Sequence, residues 1–166
     1  DPALPPGRVT LQGKRVTSEV ITFPGVQAAG YIQGLFDSIL AFEDGSYAVV
    51  DFKTSSPSGE HIGFYGRQLS AYAYALEHSA FGALHLAPVT HLGLLYLDPV
   101  DIEHGANHKR IVYGGEVTWQ EVPKDEEAFL AFLRGVLEVL ALPEPPPAKE
   151  GCAFCAYREE ARRHGL

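Results

Sequence analysis

The sequence lacks three features that many proteins carry, and each absence narrows the class of protein to which it can belong. It contains no methionine, so Asp1 is not a native start, and we expect an excised or processed piece of a longer protein with an upstream segment missing. It has no apolar run of the ~20 residues that a bilayer-spanning helix needs. Its proline-rich start also lacks the basic region and apolar core of a signal peptide. We therefore predict a soluble, cytoplasmic protein without a membrane partner.

Basic residues are also scarce. The chain has 13 Lys and Arg against 21 Asp and Glu, which gives a formal net charge of −8. This balance argues against a broad basic surface that binds nucleic acid without sequence preference. A nucleic-acid enzyme of this charge would borrow affinity from a partner domain that supplies the basic track.

Charged residues interrupt an otherwise apolar pattern in the first half of the chain. Residues 31–42 and 47–53 each read as a strand, and Asp44-Gly45 between them is a strong signal for a tight turn. The pattern predicts a β-hairpin. Asp51 directly follows Val49-Val50, at the end of a strand that looks buried, where a carboxylate is costly without a compensating partner or metal.

Three charged side chains are expected to converge in this hairpin. Asp51 and Lys53 are two residues apart and leave the same face of the strand, and the hairpin brings Asp37 beside them. Two carboxylates on a rigid sheet suit Mg²⁺ or Mn²⁺ that keeps waters for a phosphate substrate. The matching chemistry is metal-assisted attack of water on a phosphodiester, with Lys53 stabilising charge on the phosphate or orienting the nucleophile. A lone Asp-x-Lys, however, is more often a solvated face or a cross-strand ion pair.

Three motifs in this order resemble the PD-(D/E)XK nuclease superfamily, and most closely its RecB-like exonuclease branch. They are Gly34-Leu35-Phe36-Asp37, Val50-Asp51-Phe52-Lys53-Thr54 and Gln68-Leu69-Ser70-Ala71-Tyr72. The resemblance implies a metal-dependent deoxyribonuclease that hydrolyses phosphodiester bonds. It implies that Asp37 and Asp51 hold Mg²⁺ or Mn²⁺ and, with Lys53 and Gln68, form the catalytic set.

The resemblance also implies residues that contact the nucleic acid strand, namely Thr54, Arg67 and Tyr72. The family carries a further acidic or histidine metal ligand before the first of these strands, and no histidine of this chain precedes Asp37. Either Glu19 or the missing upstream segment supplies that ligand, or the metal site is incomplete.

The remaining pattern predicts a mixed α/β fold with a restriction-endonuclease-like core, in which a central mixed sheet of about five strands is flanked by helices. Residues 8–23 read as one strand or a hairpin, residues 54–63 as a polar loop, and residues 98–107 as another loop. Helical periodicity marks residues 64–78 and a segment around Phe129, both expected to pack on the sheet. We predict a single nuclease-like domain over residues 1–166 with a cysteine-containing tail from about residue 148.

The tail carries Cys152-Ala-Phe-Cys155, which resembles the cysteine-bearing end of RecB-like nucleases that bind an iron–sulfur cluster. A four-iron cluster needs four thiolates, so the presence of only two cysteines argues against such a cluster in this chain. A zinc site formed by Cys152, Cys155 and a histidine such as His164 is an alternative, although the second pair of ligands lacks the spacing usual in zinc sites.

Three functions remain open at this point. The first is a metal-dependent exonuclease that acts on single-stranded DNA ends, with a helicase or another repair protein as partner. The second is a catalytically degenerate nuclease fold that binds DNA or a protein within a repair or recombination assembly. The third is a purely structural module of a helicase–nuclease assembly.

Overall fold

The computed structural model describes residues 6–57, 59–104 and 111–165. Within these residues the chain forms five strands and three helices. In chain order they are β1 (Arg8–Thr17), β2 (Gln33–Ala41), β3 (Tyr47–Lys53), α1 (Gly59–Glu77), β4 (Val89–His104), β5 (Ile111–Val122), α2 (Glu126–Leu140) and α3 (Ala153–Arg163).

The five strands form one mixed sheet in the order β1-β2-β3-β4-β5. Strands β1 to β3 pair as an antiparallel meander, β3 and β4 pair in parallel, and β4 and β5 pair antiparallel. The parallel pair requires a crossover connection, and α1 supplies it. The predicted mixed sheet with flanking helices is confirmed, and β3 is its central strand.

The main core lies between α1 and the sheet. Leu69 and Leu76 of α1 are fully buried and pack with Val49 of β3 and Leu92 and Leu94 of β4. Each fully buried leucine contributes about 1.5–3 kcal/mol to folding. Because neighbouring residues on a strand point to opposite faces, this core fixes which residues of β3 face α1.

A second, smaller apolar cluster lies on the opposite face of the sheet. Ala48 and Val50 of β3 contribute to it, and so does Trp119 of β5, which crosses over Gly93 of β4. The Trp119 indole Nε1–H donates to Glu121 Oε2 at 3.0 Å. A side chain at position 93 would meet the indole ring, so any residue other than glycine forces the ring to move.

Several predicted boundaries are wrong. The first segment is a single strand, one of the two predicted alternatives, but it ends at Thr17 rather than at residue 23 and has an irregularity between Val9 and Leu11. Helix α1 begins at Gly59, so the predicted loop of residues 54–63 is shorter. Strand β4 runs to His104 through most of the predicted loop of residues 98–107, and the last three residues of that loop lie outside the described residues.

The two C-terminal helices also differ from expectation. Helix α2 packs against α1 rather than on the sheet, and of its apolar stripe Phe129 and Leu137 are buried. Asp125 caps its start by accepting from the Ala128 backbone N–H at 2.9 Å. The tail pattern gave no expectation of α3. No helix in the described ranges has the length and apolar character needed to cross a membrane.

Replacement of Gly93 by alanine should destabilise the protein. A Cβ atom at this position would lie 1.8 Å from the Trp119 ring, so the indole must move and the second cluster must repack. Overpacking of this kind costs about 1–3 kcal/mol, which urea denaturation would measure.

Gly135→Ala in α2 is the matched control. A Cβ there meets no atom within 4 Å, and alanine favours a helix interior over glycine by about 0.5–1 kcal/mol. Gly135→Ala should therefore stabilise the protein. A Gly93→Ala protein as stable as the unaltered chain would contradict the described packing of Trp119.

Candidate active site

Asp51 lies at the centre of the candidate site. It is the fifth residue of β3, and its side chain is 6% exposed on the face that α1 covers. Burial raises the pKa of the Asp51 carboxyl; the ammonium of Lys53 opposes that rise, and the nearby carboxylate of Asp37 adds to it. Both burial and the nearby Asp37 carboxylate therefore disfavour the ionised form of Asp51.

Asp37 reaches this position from β2. The backbone ladder between β2 and β3 pairs Ser38 with Val50. One residue beyond that pair, the Asp37 side chain also contacts β3, because its Oδ2 accepts a hydrogen bond from the backbone N–H of Phe52 at 2.8 Å. The two carboxylates thus meet because the hairpin register places their residues on adjacent strands.

Helix α1 brings an amide to the same place. The Gln68 Nε2 donates to Asp51 Oδ1 at 3.4 Å and to the Tyr72 hydroxyl at 3.0 Å. Gln68 and Tyr72 are one helical turn apart, which puts them side by side on the face of α1. The Tyr72 ring lies over Gly34 of β2, where a Cβ would come within 2.6 Å of the ring. Gly34 therefore permits the close approach that joins helix and strand.

Lys53 is the cation of the site. Its ammonium forms an ion pair with Asp51 Oδ2 and lies 4.1 Å from the centroid of the Tyr65 ring. Tyr96 of β4 is the cross-strand partner of Lys53 and is buried. Burial raises the pKa of Tyr96; Tyr65 adds to the rise, Lys53 opposes it and Asp51 adds to it. The sequence pattern singled out neither tyrosine as a site residue, because Tyr65 fits the helical periodicity of α1 and Tyr96 fits the apolar run of β4.

The donor set fits a hard divalent cation. Asp37 and Asp51 are adjacent carboxylates against one ammonium, so the cluster keeps an excess negative charge. Among the described residues no group of three or more His, Cys, Asp or Glu side chains is arranged to hold a metal. Mg²⁺ is commonly bound by one or two carboxylates together with waters and substrate phosphates, so two suffice for this ion.

Three other predicted site residues have their described contacts outside this cluster. Thr54 is exposed just after β3 and lines a groove of about 500 Å³ with residues of β4 and β5. Arg67 stacks over the Phe132 ring of α2, with its guanidinium carbon 4.6 Å from the centroid. The Oε1 atom of Glu19 lies 3.9 Å from Nδ1 of His78. His78 directly follows the last residue of α1 and is ten residues beyond Gln68 in the chain. The structure does not bring Glu19 to Asp37 and Asp51.

The two cysteines lie at the start of α3. Cys152 caps the helix, and its Sγ accepts from the backbone N–H of Cys155 at 3.4 Å. This hydrogen bond lowers the pKa of the Cys152 thiol, whereas the neighbouring Cys152 raises the pKa of the Cys155 thiol. His164 lies at the other end of α3 and contacts Glu160. The absence of an iron–sulfur cluster stays a prediction.

Similarity to known proteins identifies the family to which the chain belongs. No curated protein matches the chain. Among solved structures, the crystal structure of SSO0001 is similar, with 19% identity and a TM-score of 0.47 over 90% of this chain and 58% of that one. A model of the PD-(D/E)XK nuclease superfamily matches residues 8–159. With that match over most of its length, and with Asp37 and the Asp51-x-Lys53 pair on adjoining strands, the chain belongs to the PD-(D/E)XK nuclease superfamily.

Proposed function

We propose that this chain is a nuclease that uses Mg²⁺ or Mn²⁺ to hydrolyse phosphodiester bonds of DNA, as an exonuclease of the RecB-like type on single-stranded ends. Membership of the superfamily supports a nuclease-type function. The observation that carries the proposal is the convergence of Asp37, Asp51, Lys53 and Gln68 from two strands and a helix.

Each residue has a distinct role in this proposal. Asp37 and Asp51 hold the metal, which when bound supplies Lewis-acid polarisation of the phosphoryl oxygen and a lowered pKa for the attacking water. Gln68 fixes the Asp51 carboxylate through its amide N–H, and Tyr72 fixes Gln68 in turn. Lys53 donates to the phosphate oxygens, where negative charge grows in the transition state.

An exposed aromatic residue supports a single-stranded substrate. Phe64 of α1 is 70% exposed and lies one helical turn before Gln68. Its ring contacts that of Tyr65 edge-on, with the centroids 6.0 Å apart. An unpaired base stacks on an exposed aromatic ring, whereas a paired base in a duplex has both faces covered.

A catalytically degenerate module is the second candidate. It is favoured by the ion pair between Lys53 and Asp51, which neutralises a proposed ligand, and by the position of Glu19 beside His78, away from Asp37 and Asp51. Such a module would bind DNA or a repair protein such as a helicase without cutting.

Cleavage assays separate the two candidates. Single-stranded DNA labelled at its 5′ or 3′ end, with duplex DNA and single-stranded RNA as comparisons, would be incubated with Mg²⁺, Mn²⁺ or EDTA. We expect metal-dependent release of short products from one end of single-stranded DNA. Binding without cleavage in either metal would favour the degenerate module.

Asp51→Asn should abolish cleavage, because the variant loses a ligand charge with little change in volume. It should be no less stable than the unaltered chain in EDTA at neutral pH. Since the pKa of Asp51 is raised in the folded state, the folded protein loses stability as pH rises from the ordinary carboxyl pKa through the raised value. The stability advantage of Asp51→Asn should therefore shrink as pH falls through that window.

Asp44→Asn is the control, because Asp44 lies in the turn at the other end of the hairpin and accepts from Ser46. This variant should keep its cleavage activity. Cleavage by Asp51→Asn at the unaltered rate would refute the assignment of Asp51.

Lys53→Ala should slow cleavage about 100-fold or more, as expected for a donor that acts on transition-state charge. Affinity for Mn²⁺, measured by calorimetry, should not fall, because the ammonium competes with the metal for Asp51. Lys124→Ala is a matched control, since Lys124 pairs with Glu77 at 2.6 Å away from the site. A collapse of Mn²⁺ affinity in Lys53→Ala would show that Lys53 holds the site together instead.

A further inference from the structure

The buried hydroxyl of Tyr96 is not explained by packing. Tyr96 is 1% exposed and lies in the main core with Leu92 and Leu94. Its hydroxyl has no hydrogen-bond partner among the residues that the structure describes. Phenylalanine would fill the same space without burying an unpaired polar atom, which destabilises a fold. A hydroxyl in this place is therefore better explained by a partner that arrives in another state of the site.

The neighbours of that hydroxyl belong to the candidate active site. Tyr96 is directly opposite Lys53 on adjacent parallel strands, which run about 4.8 Å apart. Burial raises the pKa of the Tyr96 hydroxyl, Tyr65 and Asp51 raise it further, and Lys53 lowers it. The ring of Tyr65 already contacts the Lys53 ammonium.

The Lys53 ammonium and a bound metal ion would compete for the same carboxylate, that of Asp51. In the structure it pairs with Asp51 Oδ2. When the same carboxylate binds a divalent cation, two positive charges compete for it, and the ammonium must find another acceptor. A tyrosine hydroxyl can accept through its oxygen lone pairs, and Tyr96 offers one next to Lys53.

The geometry points to Tyr96 as a positioning residue that accepts the Lys53 ammonium once Asp51 is engaged by metal. The Tyr65 ring and the Tyr96 hydroxyl then give the ammonium two fixed contacts, one electrostatic and one hydrogen-bonded. Lys53 stays directed along the active face instead of turning to solvent. The inference rests on the proposed function where it assigns the metal to Asp51.

A double-mutant cycle tests this inference without metal. Asp51→Asn removes the carboxylate charge that holds Lys53, so Tyr96 becomes its acceptor. Tyr96→Phe should leave stability unchanged or higher in the unaltered chain, and should lower it in the Asp51→Asn background. Urea denaturation in EDTA should show a coupling of about fivefold or more in the unfolding equilibrium constant. Tyr47→Phe, which removes a hydroxyl at the other end of β3, should have the same effect in both backgrounds.

Kinetics of Tyr96→Phe give the second measurement. Turnover of single-stranded DNA should fall roughly 10–100-fold, as for other groups that orient a catalytic residue, while KM and Mn²⁺ affinity stay unchanged. Additive stability changes in the cycle, with cleavage intact in the unaltered chain, would overturn the role of Tyr96. Coupling in the cycle, with no cleavage by the unaltered chain in any metal, would support the Tyr96 contact and refute the proposed nuclease activity.

Discussion

The burial of Asp51 at the end of the central strand is the constraint on which the site depends. A carboxylate in that position is unfavourable unless its surroundings compensate it. The chain compensates with the Lys53 ammonium on one oxygen and the Gln68 amide on the other. The neighbouring Asp37 works against this balance, since it places a second negative charge nearby. Such an arrangement gains stability when a cation binds, which is the physical reason for the proposed metal site.

The topology explains how residues far apart in sequence reach Asp51. The parallel pairing of β3 and β4 requires a crossover, and α1 lies across the face of the sheet that carries Asp51. This places Gln68 above the carboxylate. The helix can approach β2 closely because Gly34 has no side chain where the Tyr72 ring lies. The three sequence motifs are therefore parts of one packed contact between α1, β2 and β3.

Part of this site could be predicted from the sequence, and the reason is register. Alternation and the Asp44-Gly45 turn determine the β2–β3 hairpin, and the hairpin brings Asp37 to Asp51. The start of α1 could not be predicted in the same way, because its first residues include Gly59 and Gly63, and glycine is a poor helix former.

The place of Tyr96 in the site could not be predicted from the sequence for a different reason. Its ring satisfies the apolar alternation of β4, and periodicity carries no information about whether a buried hydroxyl has a partner. The position of Glu19 beside His78 likewise depends on a long-range contact that local pattern does not encode. Diffraction from crystals soaked in Mn²⁺, recorded for its anomalous signal, is the most direct test of the metal site. The account predicts a peak about 2.1 Å from carboxylate oxygens of both Asp37 and Asp51. A structure with Mn²⁺ bound elsewhere and with the Lys53–Asp51 ion pair unchanged would contradict it.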